Sequence, residues 1–558
     1  MAIKIHVFPT SDDALVVWRS DHLIPDCVGF QLIRKRNGGA PETVRNRVTF
    51  SAAGVDATHA SDSSVSPIRR YAWTDHEPTQ GDTVSYQVVP VIQAGTAAAA
   101  PDTAQQSPFS DAVTLSGKAA DGIECYFNRG FVISQFMSRR LHGDLSATSL
   151  RNFKRDLNAE TENEIRTFLS GDLRLRLFQL VDEATASGGE VFAALFELND
   201  EILISKLEAL AGRAHVVLSN GAHDSAADDE NEDSRRRLKA AGCEVIDRLL
   251  AAKVLGHNKF LVITDGAGQP KKVWTGSTNW SPTGLCTQIN NGLLVNDPAT
   301  AKVYLDQWGV LEKLKSAANK ALADSNSTVR KTAVGATGIH TWFSRTPAAQ
   351  EMDEVDDLIA AAKQGILFLM FQPGSSPLLN AIAARDDDQS LYIKGVVSTL
   401  DASETDQAGV TLVKRGDHEV HQFQIVQPHG LFGVGTWAAE VSRTTFLNNI
   451  GFAIVHSKII VLDPLGDNPV LVTGSHNFSA AATSKNDENL IIVKGNAPLA
   501  RAYAAHIQGV YDHYKFRAVA AALQKKDKDV TDFFKDAKSW QKSWFEADRA
   551  TELAFWLS

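Results

Sequence analysis

One chemical phrase occurs twice in this chain, and its recurrence limits what the chain can fold into. The first copy reads His257-Asn258-Lys259, an apolar run, Asp265, then Gly276-Ser277-Thr278-Asn279-Trp280. The second reads His456-Ser457-Lys458, an apolar run, Asp463, then Gly474-Ser475-His476-Asn477-Phe478. A wider repeat surrounds it. Gly122-Ile123-Glu124-Cys125-Tyr126-Phe127-Asn128-Arg129 echoes Gly338-Ile339-His340-Thr341-Trp342-Phe343-Ser344-Arg345. Each is followed by an acidic helical stretch, around Leu180 to Glu183 and Val355 to Leu358. Apolar runs then end in Phe196 and Phe371. Strands alternating with helices predict an α/β fold with mostly parallel sheets. The expected architecture is two pseudo-symmetric lobes, about 120–330 and 335–520, with both phrases at their interface.

The repeated residue types suit one chemistry. A phosphodiester is anionic and repels ordinary nucleophiles. Its cleavage needs a nucleophile, a proton for the leaving oxygen and positive potential around the phosphate. Histidine titrates near neutrality and can fill the first two roles. Lysine supplies charge, and serine and asparagine supply donors. His and Lys two apart share one face of a strand, and so do Ser and Asn.

These residues resemble the phospholipase D superfamily, whose signature is H-x-K-x4-D followed by G-S-x-N. The second copy matches in full. In the first, five residues separate Lys259 from Asp265, and one added residue reverses side-chain direction unless a bulge absorbs it. The resemblance implies a metal-independent reaction through a phospho-histidine, with no cofactor. It assigns catalysis to His257, Lys259, Asp265, His456, Lys458 and Asp463. Phosphate binding falls to Ser277, Asn279, Ser475 and Asn477. Glu488 follows the second G-S-x-N where the family places a carboxylate that holds the histidine; Asn290 has that place in the first copy. Glu488 is therefore expected to orient His456, and Asn290 to orient His257. A carboxylate partner makes His456 the better nucleophile, whereas family habit favours the first motif.

Substrate choice is set by residues outside the motifs. The formal net charge of −10 weighs against non-specific nucleic-acid binding and against docking on anionic membranes. The motif tails look more like the small bacterial nuclease branch. An aromatic insertion (Phe423, His429, Phe432, Trp437 and Phe446, within 400–449) and an aromatic tail favour an amphiphilic substrate. The reading is a phospholipase D-type phosphodiesterase acting on phospholipid head groups, by hydrolysis or alcohol transfer. The alternatives are an endonuclease and a non-catalytic binding protein.

The remaining segments are read more coarsely. Residues 1–115 carry short β-rich runs and turn signals, predicting an all-β sandwich. An early Trp18 and the late Tyr86-Gln87-Val88 strand resemble a fibronectin type III module. The acidic stretch His223 to Arg237 reads as a solvated loop rather than a calcium site. The 4 cysteines form no C-x-x-C and are expected as free thiols. The tail, 521–558, reads as helical. Its Phe533, Phe534, Trp540, Trp544 and Phe545, near Lys525, Lys526 and Lys528, suit either docking on the lobes or a membrane surface. No signal peptide or transmembrane run is seen. Both half-sites lie in one chain, which predicts a monomer.

Overall fold

The structure is a computed structural model. It describes residues 3–46, 49–51, 54–56, 61–132, 164–222, 228–317, 320–371, 376–385, 390–397, 412–413, 423–426, 455–524, 540–546 and 548–558, with 148, 152, 155 and 388. Among the described residues of 3–114 there are strands and one short 3₁₀ turn. Ile3–Pro9, Ala14–Ser20 and Ala72–Asp75 form one antiparallel sheet. Cys27–Arg36 and Thr83–Ile92 run antiparallel through the centre of a second. The two sheets meet through Trp18 and Phe30, edge to face at 5.6 Å. Arg34 lies inside, its charge met by Asp75 at 2.5 Å, to which the Tyr86 hydroxyl also donates.

Two larger sheets follow. The first has the order Ile123–Phe127, Asn291–Val295, Pro270–Gly276, Lys259–Thr264, Val191–Leu195, Ala214–Ser219, Glu244–Arg248. The second repeats it with Thr337–Phe343, Asn489–Lys494, Val470–Gly474, Ile459–Leu462, Gly365–Met370, Tyr392–Val397 and Phe423–Val426. Arg330–Val334 and Leu412–Val413 are added at its edges. The sheets are mixed, which corrects the expectation of mostly parallel ones. Among the described residues, only three neighbouring strands in each run parallel: those starting at Val191, Ala214 and Glu244, and those starting at Gly365, Tyr392 and Phe423. The motif strands return through tight turns at Asp265 and Asp463, and a hairpin is antiparallel by construction.

The motif strands are buried on both faces, and their alternation assigns each residue to a layer. Phe260 and Val262 point into a core shared with Val461, Tyr304 and Tyr503. Leu261 and Ile263 point outward, beneath the helices Glu164–Ser187 and Glu201–Leu210. Ile459 and Val461 face the shared core, whereas Ile460 and Leu462 face the layer of Gln350–Ala361 and Pro377–Ala383. The long helices Pro298–Leu314 and Ala497–Gln524 each touch both sheets. Each large apolar side chain so buried contributes roughly 1.5–3 kcal/mol.

The tail is two short helices, Lys542–Glu546 and Asp548–Trp556, docked on the β-rich segment. The Trp540 indole donates to the Cys27 carbonyl at 2.9 Å, and Gln541 both donates to and accepts from the Ile24 backbone. Trp544 and Phe545 lie against Tyr71, and Phe555 stacks on Tyr392 at 4.4 Å. Trp544 is thereby buried and unavailable to a membrane surface. Lys525, Lys526, Lys528, Phe533 and Phe534 lie outside the described residues, as do His429, Phe432, Trp437 and Phe446. The second half of the 223–237 stretch is the start of the helix Glu232–Ala240, with Asp229 paired to Arg235 at 2.9 Å. All four cysteines are buried thiols outside any disulfide. Among the described residues no helix is long and apolar enough to cross a membrane.

Candidate functional site

The two motif strands start at the junction between the sheets, and backbone bonds tie each start to the opposite copy. The His257 amide donates to the Asp487 carbonyl at 2.9 Å, and the His456 amide to the Ile289 carbonyl at 3.0 Å. Asn489 donates to the Asn258 side chain at 3.1 Å, and Ser457 to the Ile289 carbonyl at 3.0 Å. Asn258 and Ser457 stand between the His and Lys of their motifs, so alternation turns them to the junction while His and Lys share the other face.

Each half-site is built alike. The Lys259 ammonium donates to its own motif's His257 carbonyl at 2.8 Å and lies over the Phe196 ring at 4.7 Å. Lys458 bonds the His456 carbonyl and lies 4.8 Å from the Phe371 ring centre. Those same rings contact His257 and His456, each at 4.7 Å. Both phenylalanines end the apolar runs that precede the motifs. Their matched places in the two copies were the available signal for this role.

The histidines are oriented crosswise. His257 Nδ1 meets Glu488 Oε2 at 2.7 Å, and His456 Nδ1 meets Asn290 Oδ1 at 2.9 Å and the Ser277 carbonyl at 3.1 Å. This corrects the expected pairing, in which each copy orients its own histidine. Glu488 and Asn290 each begin or precede the strand bordering their own G-S-x-N, and that strand end reaches over the junction to the other motif. All these partners accept, so Nδ1 carries the proton in both rings. Nε2 is left with its lone pair, and among the described residues it has no hydrogen-bond partner.

The serines hold these orienters. Ser277 Oγ donates to Asn290 at 2.7 Å and accepts from the Asn291 amide; Ser475 Oγ donates to Glu488 at 2.7 Å and accepts from the Asn489 amide. Both are fully buried. Their hydrogen-bonding capacity is used within the protein, which corrects their assignment to phosphate binding. Asn279 and Asn477 differ, because the side-chain oxygen of each is buried with no partner among the described residues. The glycines before the serines are forced by fit. A Cβ on Gly276 or Gly474 would come within 2.3 Å of a backbone carbonyl oxygen, and both have positive φ.

Neither aspartate lies in this centre. Asp265 sits in the exposed turn at the far end of its strand, accepting from the Ala267 and Gln269 amides and pairing with Lys271 at 2.9 Å. Five residues, Phe260 to Thr264, separate it from Lys259, and six steps of strand span roughly 20 Å. The extra residue is absorbed by a register shift between Ile263 and Thr264. Asp463 accepts from the amides of Lys363, Gln364 and Gly365. Thr264 is its counterpart in the first copy. The Thr264 hydroxyl accepts from the Glu190 amide at 3.0 Å, and its amide donates back to the Glu190 carbonyl. These positions pin a hairpin to its neighbouring strand, which corrects the assignment of Asp265 and Asp463 to catalysis.

Burial dominates the electrostatics. It lowers His257 to about 4, against the opposing pull of Glu488, and lowers Lys259 to about 7, opposed by Glu488 and Glu197. His456 lies well below its ordinary value through burial and the neighbouring Lys458, Lys259 and His257. That each motif perturbs the other places both in one field. A bound anion reverses these shifts, since negative charge favours the protonated forms.

One more ionic group ties the copies together. Arg248, fully buried, meets Asp487 at 2.6 Å and bonds the carbonyls of Lys315 and Ala317; Arg345 meets the other Asp487 oxygen at 3.3 Å. Asp487 stands where the first copy has Ile289, so charge spacing within either copy gave no sign of this group.

Residues 355–511 match the family model described as "Cardiolipin synthase, PLD-like domain". They form a PLD-like domain. It contains His456, Lys458, Ser475, Asn477 and Glu488, and the first copy lies outside the matched stretch. No curated protein sequence matches the chain. Solved structures that resemble it include a polyphosphate kinase from Porphyromonas gingivalis, at 13% identity and TM-score 0.36, covering 57% of this chain and 45% of that one. The chain thus spans under half the length of that kinase. A phosphatidylserine synthase from Haemophilus influenzae Rd KW20 gives 10% identity and TM-score 0.40, covering 69% and 93%. The phospholipase D family member Nuc from Salmonella typhimurium gives 21% and 0.20, covering 32% and 95%.

Proposed function

We propose that the chain is a phosphodiesterase of phospholipase D type, made of two pseudo-symmetric lobes, that releases phospholipid head groups through a phospho-histidine. The observation that carries this reading is the pair of histidines whose Nδ1 atoms are held and whose Nε2 atoms are unengaged, each beside a buried lysine. Carboxylate support at His257 raises the basicity of Nε2 and stabilises the cation that forms when it attacks. His257 is therefore the nucleophile. Its Nε2 bonds phosphorus while the phosphorus–oxygen bond to the head group breaks. The binding of the phosphate anion brings a proton onto His456, and Nε2 of that ring gives it to the departing oxygen. Neutral His456 then takes a proton from water. The resulting hydroxide displaces His257 from phosphorus, and phosphatidic acid leaves. Lys259 and Lys458 supply the positive potential, and the amides of Asn279 and Asn477 supply donors.

The lipid reading has support from the domain description of 355–511, which is that of a lipid phosphodiester enzyme. An endonuclease is the second reading. The test is one assay in excess EDTA, with phospholipid micelles beside single- and double-stranded DNA. Wild type releases the head group, His257→Ala lowers release by about 10³-fold or more, and acid-quenched wild type carries phosphate on His257. DNA cleavage with intact lipid would reverse the ranking. Inactivity on both, with no phosphoenzyme, would reject the reading.

A further inference from the structure

Glu197 has no part in the exchange of histidine orienters, yet it stands inside the first half-site. It directly follows Phe196, the ring beneath His257 and Lys259. Its side chain is half-buried and accepts from Ser281 Oγ at 3.2 Å; burial raises its carboxyl above the ordinary range, against the pull of Lys259 and, more weakly, of Ser281 and Asn279. Its charge acts on both motif lysines. Lys259 nevertheless directs its hydrogen bond to the His257 carbonyl, so no direct ion pair closes Glu197 off. Next to it, Asn279 is 3% exposed and its Oδ1 has no partner among the described residues. The half-site therefore holds an amide oxygen in want of a donor, beside a carboxylate that accepts from Ser281 and can accept further bonds. A buried acceptor left unmet is costly, so such a pair favours a ligand that brings N–H groups.

Charge narrows the ligand. Taken formally, Lys259 and Lys458 contribute two positive charges, Glu488 and Glu197 two negative ones, and Glu230 acts on Glu197 as a third. A site without positive excess gains little from a polyanion. A diester carrying its own cation adds one charge of each sign and leaves the balance intact. The aromatic face nearest to Glu197 is already taken by His257 and Lys259, which leaves no cage for a quaternary ammonium. A primary ammonium offers three N–H donors to acceptors that need them.

We propose that Glu197, with the Asn279 side-chain oxygen, is a specificity determinant that receives a primary ammonium on the alcohol esterified to the phosphate. The substrate class is then a zwitterionic amino-alcohol phosphodiester. This rests on the phosphodiesterase reading above and adds the head-group chemistry to it. Glu197 takes no part in bond making and acts by binding.

The experiment compares head-group release from phosphatidylethanolamine, phosphatidylcholine and phosphatidylglycerol in identical mixed micelles, for wild type, Glu197→Gln and Glu197→Asp. The readout is the ratio of kcat/KM values between head groups, which a general loss of activity or of folded protein does not move. Wild type is expected to prefer ethanolamine over glycerol by about tenfold or more, as a charge-assisted hydrogen bond would give. Glu197→Gln brings that ratio near unity, mainly through KM for ethanolamine. Glu197→Asp retains part of it. Equal rates on all three lipids, a preference for choline, or a ratio that Glu197→Gln leaves unchanged would overturn the inference while leaving the phosphodiesterase reading in place. No release from any lipid, with no phosphate on His257, would overturn that reading and this inference together.

Discussion

Glu488 supports a histidine that stands 231 positions away in sequence, so its replacement tests the crosswise geometry directly. Glu488→Gln keeps the shape and removes the charge. Turnover is expected to fall by at least about 100-fold, with the loss mainly in kcat and an unchanged circular dichroism spectrum. If Glu488 served His456 instead, the accumulated phosphoenzyme would decay more slowly; the crosswise pairing predicts that it forms more slowly. Asp265→Ala is expected to leave turnover within about twofold of wild type, as for other exposed turn positions; steady-state kinetics decide it. The reason was legible in the sequence. Counting four residues on from Lys259 ends just before Thr264, and threonine can cap the Glu190 amide as Asp463 caps Gly365. What spacing could not give was the partner of each orienter. Distance along one copy carries no information about which motif lies across a junction.

Among the elements, the motif strands were easily read. Phe260 to Thr264 and Ile459 to Leu462 are apolar runs of strand length behind a polar pair, and both are strands buried on two faces. Strand direction was not legible, because alternation reports a strand's faces and not its neighbours. The helices between strands suggested crossovers throughout, while the turns at Asp265 and Asp463 made hairpins of the motif strands. The hydrogen bonds that Leu255 and His257 make to the second copy all go to the Asn486–Glu488 segment, which the Arg248–Asp487 pair clamps. Asp487→Ala leaves a buried guanidinium facing no carboxylate and is expected to cost about 3–5 kcal/mol. Urea unfolding measures it, and an unchanged midpoint would show that the clamp carries no load. Activity should fall as well, since the backbone carbonyl of residue 487 receives the His257 amide and shifts when the clamp on its side chain is lost.

For the whole molecule, buried histidines set the response to acid. His257 is lowered to about 4, and His506 and His513 to about 3, all mainly by burial, and His456 shifts the same way. Below pH 6.5 the unfolded chain binds protons that the folded one refuses, so stability falls as pH drops from about 6.5 towards 4. Asp172, raised to about 7 by burial, has the opposite sign, because the folded state holds its proton longer. Asp12 and Glu197, also raised mainly by burial, share that sign, so four histidines stand against three carboxylates and leave the net slope positive. Urea midpoints between pH 7 and 4.5 should decline, and His513→Phe should flatten the curve. The tail contributes on the same scale: Trp544→Ala is expected to cost about 3–5 kcal/mol, read as a lower thermal midpoint. Its aromatic spacing announced a buried face, but nothing in the tail named Phe30 and Tyr71 as the surface it covers.

The exchange of orienters has a consequence for how such a chain can change over time. Each half carries the residue that finishes the other, so the halves form a matched set rather than two interchangeable units. A recombinant that took one half from a relative would inherit a histidine from one parent and its handhold from the other. Drift at Asn290 is answerable to His456, and drift at Glu488 to His257. After a duplication, such mutual dependence preserves both copies while allowing them to become unlike: one supported by a charge, the other by an amide.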